Sequence, residues 1–254
     1  MNCKPLLLAG LAAAAAFVTN ADADSFDGDT ITLERIKRFV GRSVESSYSS
    51  SRAWDADPGT IWGTALAGVH FNTVVATGDR VTTFCAEFEA GIADRAVTYD
   101  VSNIESVEGF APPRGITTAR SILLQDLYAR YHDRVNTVPT GDETREDYAA
   151  AFQLVIWEII HENLTSDTEA TTGLGELNVS IGAMAFRDLQ SHDAVGIAEE
   201  MIAGLGDGGF RSFAGLLGLA SSTSQDMMMI TVVPAPTVAA LAGLGLVGMR
   251  RRRR

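Results

Sequence analysis

The stretch that most constrains this chain is YAAAFQLVIWEIIH, Tyr148 to His161. Tyr148, Phe152, Val155, Ile156, Ile159 and Ile160 recur at helical spacing, and Ala149 to Ala151 with Trp157 make most of the remaining circumference apolar. A helix that is apolar nearly all round has no face to offer water, so the pattern predicts a helix buried on every side. Such a helix needs other elements wrapped around it. Gln153 sits inside the stretch, and its carboxamide, buried unpaired, would cost on the order of 1–3 kcal/mol. Something in the fold must meet it.

A second constraint is Cys85, in VTTFCAEFEAGI. Val81, Phe84 and Phe88 alternate imperfectly with Thr82, Thr83, Glu87 and Glu89, which reads as a strand. The chain has two cysteines, and Cys3 lies in a segment expected to be removed on export. A lone cysteine in an exported protein departs from the paired usage of oxidising compartments. It is either a small buried hydrophobe or a reactive thiol.

FCAE on a strand, followed 68 residues later by the Gln of AFQLVIW on a helix, resembles the bacterial surface thioester domains. In that family a strand Cys follows an aromatic residue, and a Gln precedes a short apolar run ending in Ile-Trp. Cys85 and Gln153 occupy the matching positions, with Phe152 where the family often has Thr. The resemblance extends more loosely from about Gly63 to Val233, and QDMMMITVV is similar to the family's closing strand. It implies an internal thioester between the Cys85 sulfur and the Gln153 side-chain carbonyl, formed with loss of ammonia. An amine or hydroxyl on a partner surface would then attack the carbonyl, leaving Gln153 acylated onto the partner and Cys85 as a free thiol. That is single-use chemistry without turnover, so the chain is not expected to be an enzyme, and it needs no cofactor. A thioester must be kept dry. Phe84, Phe152 and Trp157 are the expected shields, Trp157 lying one turn beyond Gln153 on the same side of the helix.

Both ends carry export features. Lys4, the apolar run LLLAGLAAAAAFV and the small-residue site Ala21-Asp22-Ala23 make residues 1–23 a secretory signal. At the far end, Val233-Pro234-Ala235-Pro236 precedes an apolar, Gly-rich run from Thr237 to Met249 and then Arg250, Arg251, Arg252, Arg253 and Arg254. An apolar segment closed by a basic cluster is a stop-transfer layout. Its length of about 13 residues falls short of the roughly 20 of a permanent span, which implies transient anchoring in the inner membrane. Residues 234–254 resemble the PEP-CTERM sorting signals read by exosortase-like proteases, with Ala235 where that family's naming residue is Glu. The expected destination is the cell surface or extracellular matrix.

Between the signals about 210 residues remain, enough for one domain with a substantial core. The chain carries a net charge of −12, and losing five arginines with the tail makes it more acidic still. That balance excludes nucleic acid as a partner, because phosphate binding needs Lys and Arg to displace counterions. Residues 24–58 are polar and Ser-rich and read as a leader, with one amphipathic piece from Ile31 to Val44. Asp24, Asp27 and Asp29 miss the calcium-loop spacing and read as a solvated acidic loop. The domain proper is then 59–233.

Strands are expected in ALAGVHFNTVVAT, VTTFCAEFEAG and AVTYDVSNI, the first two joined as a hairpin through Thr77-Gly78-Asp79. About three helices follow over 116–206. One is capped by Thr117 or Thr118, one begins after Pro139 with Thr140 and Glu143 at capping-box spacing, and one runs from Asp193 to Leu205 and is closed by Gly206. GLGDGG at 204–209 lacks a phosphate-loop Lys and reads as a helix end and turn. Strands return at 213–220 and 227–233. The expected class is α+β, with a β-rich, sandwich- or barrel-like core and a helical middle section.

Four histidines, His70, His132, His161 and His192, could serve as the base for a cysteine nucleophile. None lies in a catalytic signature, and no Cys/His/Asp cluster has metal-site spacing. They read as surface or packing residues. Two functions stand side by side. One is a covalent surface-attachment domain acting through Cys85 and Gln153. The other is a non-covalent structural protein of the envelope or matrix, retained by its sorting tail, in which Cys85 is inert and Gln153 bonds to backbone.

Overall fold

The computed structural model describes residues 29–48, 62–88, 92–104, 115–137, 144–189, 192–213 and 215–230. Both export signals lie outside these residues, as do Pro234, Pro236 and the arginine cluster. Among the described residues are seven strands, β1 (Asp29–Tyr48), β2 (Trp62–Val74), β3 (Arg80–Cys85), β4 (Val97–Asn103), β5 (Met184–Asp188), β6 (Leu216–Ala220) and β7 (Met227–Ile230). The helices are α1 (Thr118–Asn136), α2 (Arg145–His161), α3 (Ala170–Leu174) and α4 (Ala194–Gly204). The protein is α+β and β-rich, as the sequence pattern predicts.

The strands run in the order β2-β3-β7-β6-β4-β1-β5, and a further β2–β1 pairing closes the first six into an antiparallel barrel. Closure removes the open edges that would otherwise recruit other strands. The barrel holds one apolar cluster, Leu33, Tyr99, Val101, Leu217, Leu219, Met227 and Met229 among it. The alternate residues Phe84 and Met228 join a larger cluster with the helices. This is the two-residue period of strands with both faces covered. Met227 to Met229 shows why a plain apolar run marks β7: its neighbours face two different cores.

The largest correction concerns residues 24–58. What reads as a polar leader supplies, over 29–48, the longest strand of the fold. One edge of β1 pairs with β2 from Leu33 to Ser47, while its other edge pairs with β4 at Asp29–Leu33 and with β5 at Val44–Tyr48. Ladder bonds satisfy its backbone, while side chains such as Ser46 and Arg42 donate to Gly63 O and to the Asp147 carboxylate. Ser46 and Ser47 are buried although nothing in their chemistry asks for it. The alternation is also interrupted where the register shifts between Ile36 and Phe39, a bulge that hides the strand period from the sequence.

The β2–β3 hairpin forms at the expected turn, with Gly78 at φ 78° and its N–H donating to Val74 O. Pairing between these strands covers only His70–Thr73 against Arg80–Thr83. Beyond His70, β2 follows β1 alone. Gly68, at φ 151°, lies at that parting and faces Gly41 across the β1–β2 ladder, and a Cβ on Gly68 would collide with the carbonyl oxygen of Val40.

Every residue of α2 from Asp147 to His161 is buried, as the all-round apolar pattern requires. The helix begins later than the Thr140–Glu143 spacing suggests. Thr144 is the N-cap, accepting from Asp147 N and donating to the Asp147 carboxylate, while residues 138–143 lie outside the described set. At the other end Arg120 of α1, wholly buried, donates to the carbonyls of Ile159 and Glu162 at 3.1 and 2.8 Å. A cation meeting the last carbonyls opposes the negative end of the helix dipole.

Helices α1 and α4 follow the predicted limits, capped by Thr117 and followed by Gly206 at φ 75°. The GLGDGG segment is a turn held by the buried Asp126 carboxylate, which accepts from Gly206 N and Arg211 N. Strand β5 and the short α3 interrupt the middle section and had no sequence signal long enough to separate them from it.

Candidate functional site

Where β2 leaves, β3 would expose a bare edge. Ala86 N–H donates to Asp226 O on the β7 side, so the alternation of the strand turns the N–H and C=O of Cys85 toward the side β2 has left. Gln153 fills this place. Cys85 N–H donates to Gln153 Oε1 at 2.9 Å, and Gln153 Nε2 donates to Cys85 O at 2.7 Å. The carboxamide acts as one more peptide group in the ladder.

The same face of α2 continues the contact. Trp157, one turn on, donates its indole N–H to Glu87 O at 3.3 Å. His161, a further turn on, donates its Nε2–H to Ala86 O at 3.1 Å. Gln225 also donates to Glu87 O, and Asp226 N–H reaches the Glu87 carboxylate. Residues at i, i+4 and i+8 of one helix thus hold the last residue of β3 and the two that follow it, which is the alignment a helical face provides. Gln153, predicted to need a partner, meets Cys85, and Trp157 lies on the predicted side.

Cys85 is buried and free. Burial pushes its thiol up to about 12, so it stays protonated at neutral pH. Reaching the thiolate at pH 7 costs about 7 kcal/mol, five pH units at 1.36 each. That is far from the activated thiolate of a turnover cysteine enzyme. Phe84 packs on Phe152 with ring centroids 4.8 Å apart and edge-on to Tyr128 at 6.3 Å. Trp157 meets Phe88 edge-on at 5.1 Å and stacks with Phe186 at 6.0 Å. The three aromatic residues named as shields all lie in the core cluster that contains Cys85.

Beside Cys85 is a cavity of about 360 Å³, lined among others by Trp157, Phe88, Gln225, Arg35 and His70. His70 is opposite Thr83 on the β2–β3 ladder, so Cys85, two residues on, is its diagonal neighbour on the same face. The preceding diagonal of the same kind, Asn72 to Thr83, is a 2.8 Å hydrogen bond. Burial, aided by the charge of Arg35, holds His70 down at about 4, and burial does the same for His161. Both rings are neutral at physiological pH.

His132 packs against Tyr128 and Phe152, and His192 lies 3.7 Å from the Asp147 carboxylate. Neither joins the Cys85 site. His70 was one of four histidines named as possible bases, with nothing to single it out, and Arg35 and Gln225 had no sequence signal, because register and barrel closure bring all three there. His161 did have one, its two-turn spacing from Gln153. Among the described residues no group of three His, Cys, Asp or Glu side chains could hold a metal ion, and no helix is long and apolar enough to cross a membrane. Known protein families, curated proteins and solved structures contain no match to this chain.

Proposed function

We propose that this is an exported surface protein whose Cys85 and Gln153 close an internal thioester for covalent attachment to a partner bearing amines or hydroxyls. The observation that carries the reading is the buried, doubly hydrogen-bonded seat of the Gln153 carboxamide on Cys85. The Cys85 sulfur attacks the Gln153 side-chain carbon, the C–N bond breaks, and the thiol proton leaves with the nitrogen as ammonia. The Cys85 N–H, 2.9 Å from Gln153 Oε1, is within the 2.7–3.1 Å range from which a donor stabilises developing oxyanion charge. A poor amide electrophile needs fixed placement, and the reading is supported by a carboxamide held against residue 85 between a buried helix and a core strand. The protonated thiol suits a slow reaction performed once. An amine or hydroxyl on the partner then takes the acyl group, and Cys85 is released as a thiol.

Secretion through residues 1–23 and sorting through 234–254 by an exosortase-like protease, with transient membrane anchoring, belong to the same reading. One specific observation favours the alternative of a non-covalent envelope or matrix protein. The two bonds to Cys85 satisfy a donor and an acceptor of Gln153 without any reaction, making it a strut between α2 and β3. Intact mass of the protein recovered from the cell surface, never exposed to amines, separates the two. The attachment reading expects an N-terminus near Asp24, no residues beyond about Pro236, and a mass one ammonia below the remaining sequence. Full sequence mass with a Cys85 that alkylates without prior amine treatment leaves only the structural protein.

A further inference from the structure

We infer that the cavity beside Cys85 is a binding site for a nucleophile carrying a negatively charged group, with Arg35 holding the anion and His70 receiving the proton of the attacking amine or hydroxyl. This rests on the thioester reading for its chemistry, though binding itself does not. Two buried nitrogens in this region have no hydrogen-bond partner among the described residues, Arg35 Nε and His70 Nδ1, and both residues line the cavity that Cys85 lines. The first can only donate, so it calls for an acceptor oxygen. The second, in the neutral ring, can accept a hydrogen. A carboxylate or similar anion together with a hydroxyl or amine satisfies both.

Charge points the same way. The chain is strongly acidic, yet Arg35 is the one charged side chain lining this cavity among the described residues. Among the described residues Arg35 is otherwise engaged only at 3.3 Å with Asp94, a mostly exposed carboxylate whose hold is weakened by water. A bound anion can therefore replace it. The volume, about 360 Å³, is at the small end of ligand sites and fits one sugar or amino-acid unit. Phe88 and Trp157 supply apolar wall, while Ser46, Thr64 and Gln225 supply polar groups. An acidic sugar of a surface polysaccharide, or an amino-acid-like group, is the class this lining recognises.

The chemistry balances. The incoming nitrogen or oxygen bonds to the Gln153 carbonyl carbon and the carbon–sulfur bond breaks. The nucleophile's proton passes to His70 Nδ1 and on to the departing sulfur. His70 is within reach by register, one step along the ladder from the Asn72–Thr83 pair.

β-Alanine and propylamine test this, since both are primary amines on a three-carbon chain and only the first has a carboxylate. In the mature full chain carrying the mass deficit, adduct formation followed by intact mass should be at least tenfold faster with β-alanine. Nonspecific attraction by the acidic protein would favour the propylammonium cation instead. Arg35→Gln should bring the β-alanine rate down to that of propylamine, and His70→Gln should slow both at least tenfold. A second arm uses Cys85→Ala, which cannot form the bond, and follows the His70 ring resonances by NMR. β-Alanine should shift them saturably, propylamine should not, and Arg35→Gln should abolish the shift. Equal rates in the first arm, no shift in the second, or a preference that survives Arg35→Gln overturns the inference while leaving the thioester intact. A saturable shift in a protein of full sequence mass keeps the binding site and removes the attachment reading.

Discussion

Cys85→Ala distinguishes the two readings of the site by its effect on stability. The substitution keeps both backbone bonds to Gln153, since these use the N–H and C=O of residue 85 and not its sulfur. Without a covalent link, only a small buried side chain is trimmed, and the loss is about 1–2 kcal/mol. A Cys85–Gln153 bond, however, closes a loop across 68 residues. In the chain-entropy treatment of cross-links, a loop of that length removes about 15 cal/mol/K from the unfolded chain, or about 4 kcal/mol at 25 °C. Cys85→Ala would then cost about 5–6 kcal/mol in all. For a domain of this size each kcal/mol moves the melting temperature by roughly 2–4 °C, giving a drop of about 10–24 °C against roughly 2–8 °C without the link. Guanidinium unfolding of the untreated domain, the methylamine-treated domain and the variant measures this directly. Methylamine opens the bond while leaving Cys85 in place and adding one methyl to the buried Gln153 carboxamide, so it should cost at least the roughly 4 kcal/mol of the lost cross-link. A variant that loses 2 kcal/mol or less, with treated and untreated wild type unfolding together, would refute the covalent link.

Other parts of the site and fold give independent tests. Glu158 is buried, and burial with neighbouring Glu162 raises its pKa well above the usual carboxylate range. A raised acid contributes stability at pH below about 4.5 that is lost as pH rises through its folded value, so Glu158→Gln should match wild type at pH 4 and be the more stable of the two by pH 8 in urea titrations. His161 has the opposite sign: depressed to about 4, it contributes stability above 6.5 that is lost as pH falls toward 4, up to about 3 kcal/mol. His161→Gln, which can still donate to Ala86 O, should flatten the decline in stability between pH 6.5 and 4. Gly68→Ala should cost more than 2 kcal/mol or prevent folding, because both its φ and the Val40 carbonyl oppose a Cβ. Gly63→Ala, with open space around it, should stay within about 0.5 kcal/mol of wild type in guanidinium unfolding.

The amino-acid sequence by itself determined the burial of α2, since an apolar residue at nearly every position leaves no solvent face, and this holds whatever the partners are. It also determined that Gln153 would have a partner, and it located the β2–β3 turn through Gly78 and the caps of α1 and α4, all effects of neighbouring residues. The sequence also singled out Cys85 and Gln153, which the fold joins by two hydrogen bonds through the backbone of residue 85. Tertiary structure alone decided the rest. Strand β1 was hidden because pairing on both of its edges, not side-chain hydrophobicity, buries Ser46 and Ser47, and because its bulge breaks the period. The start of α2 is fixed at Thr144, whose side chain accepts from Asp147 N and donates to the Asp147 carboxylate, while Thr140 and Glu143 lie outside the described residues. His70 and Arg35 came to Cys85 through barrel register. A one-residue slip would have turned them to the other face, so only the closed sheet could place them there.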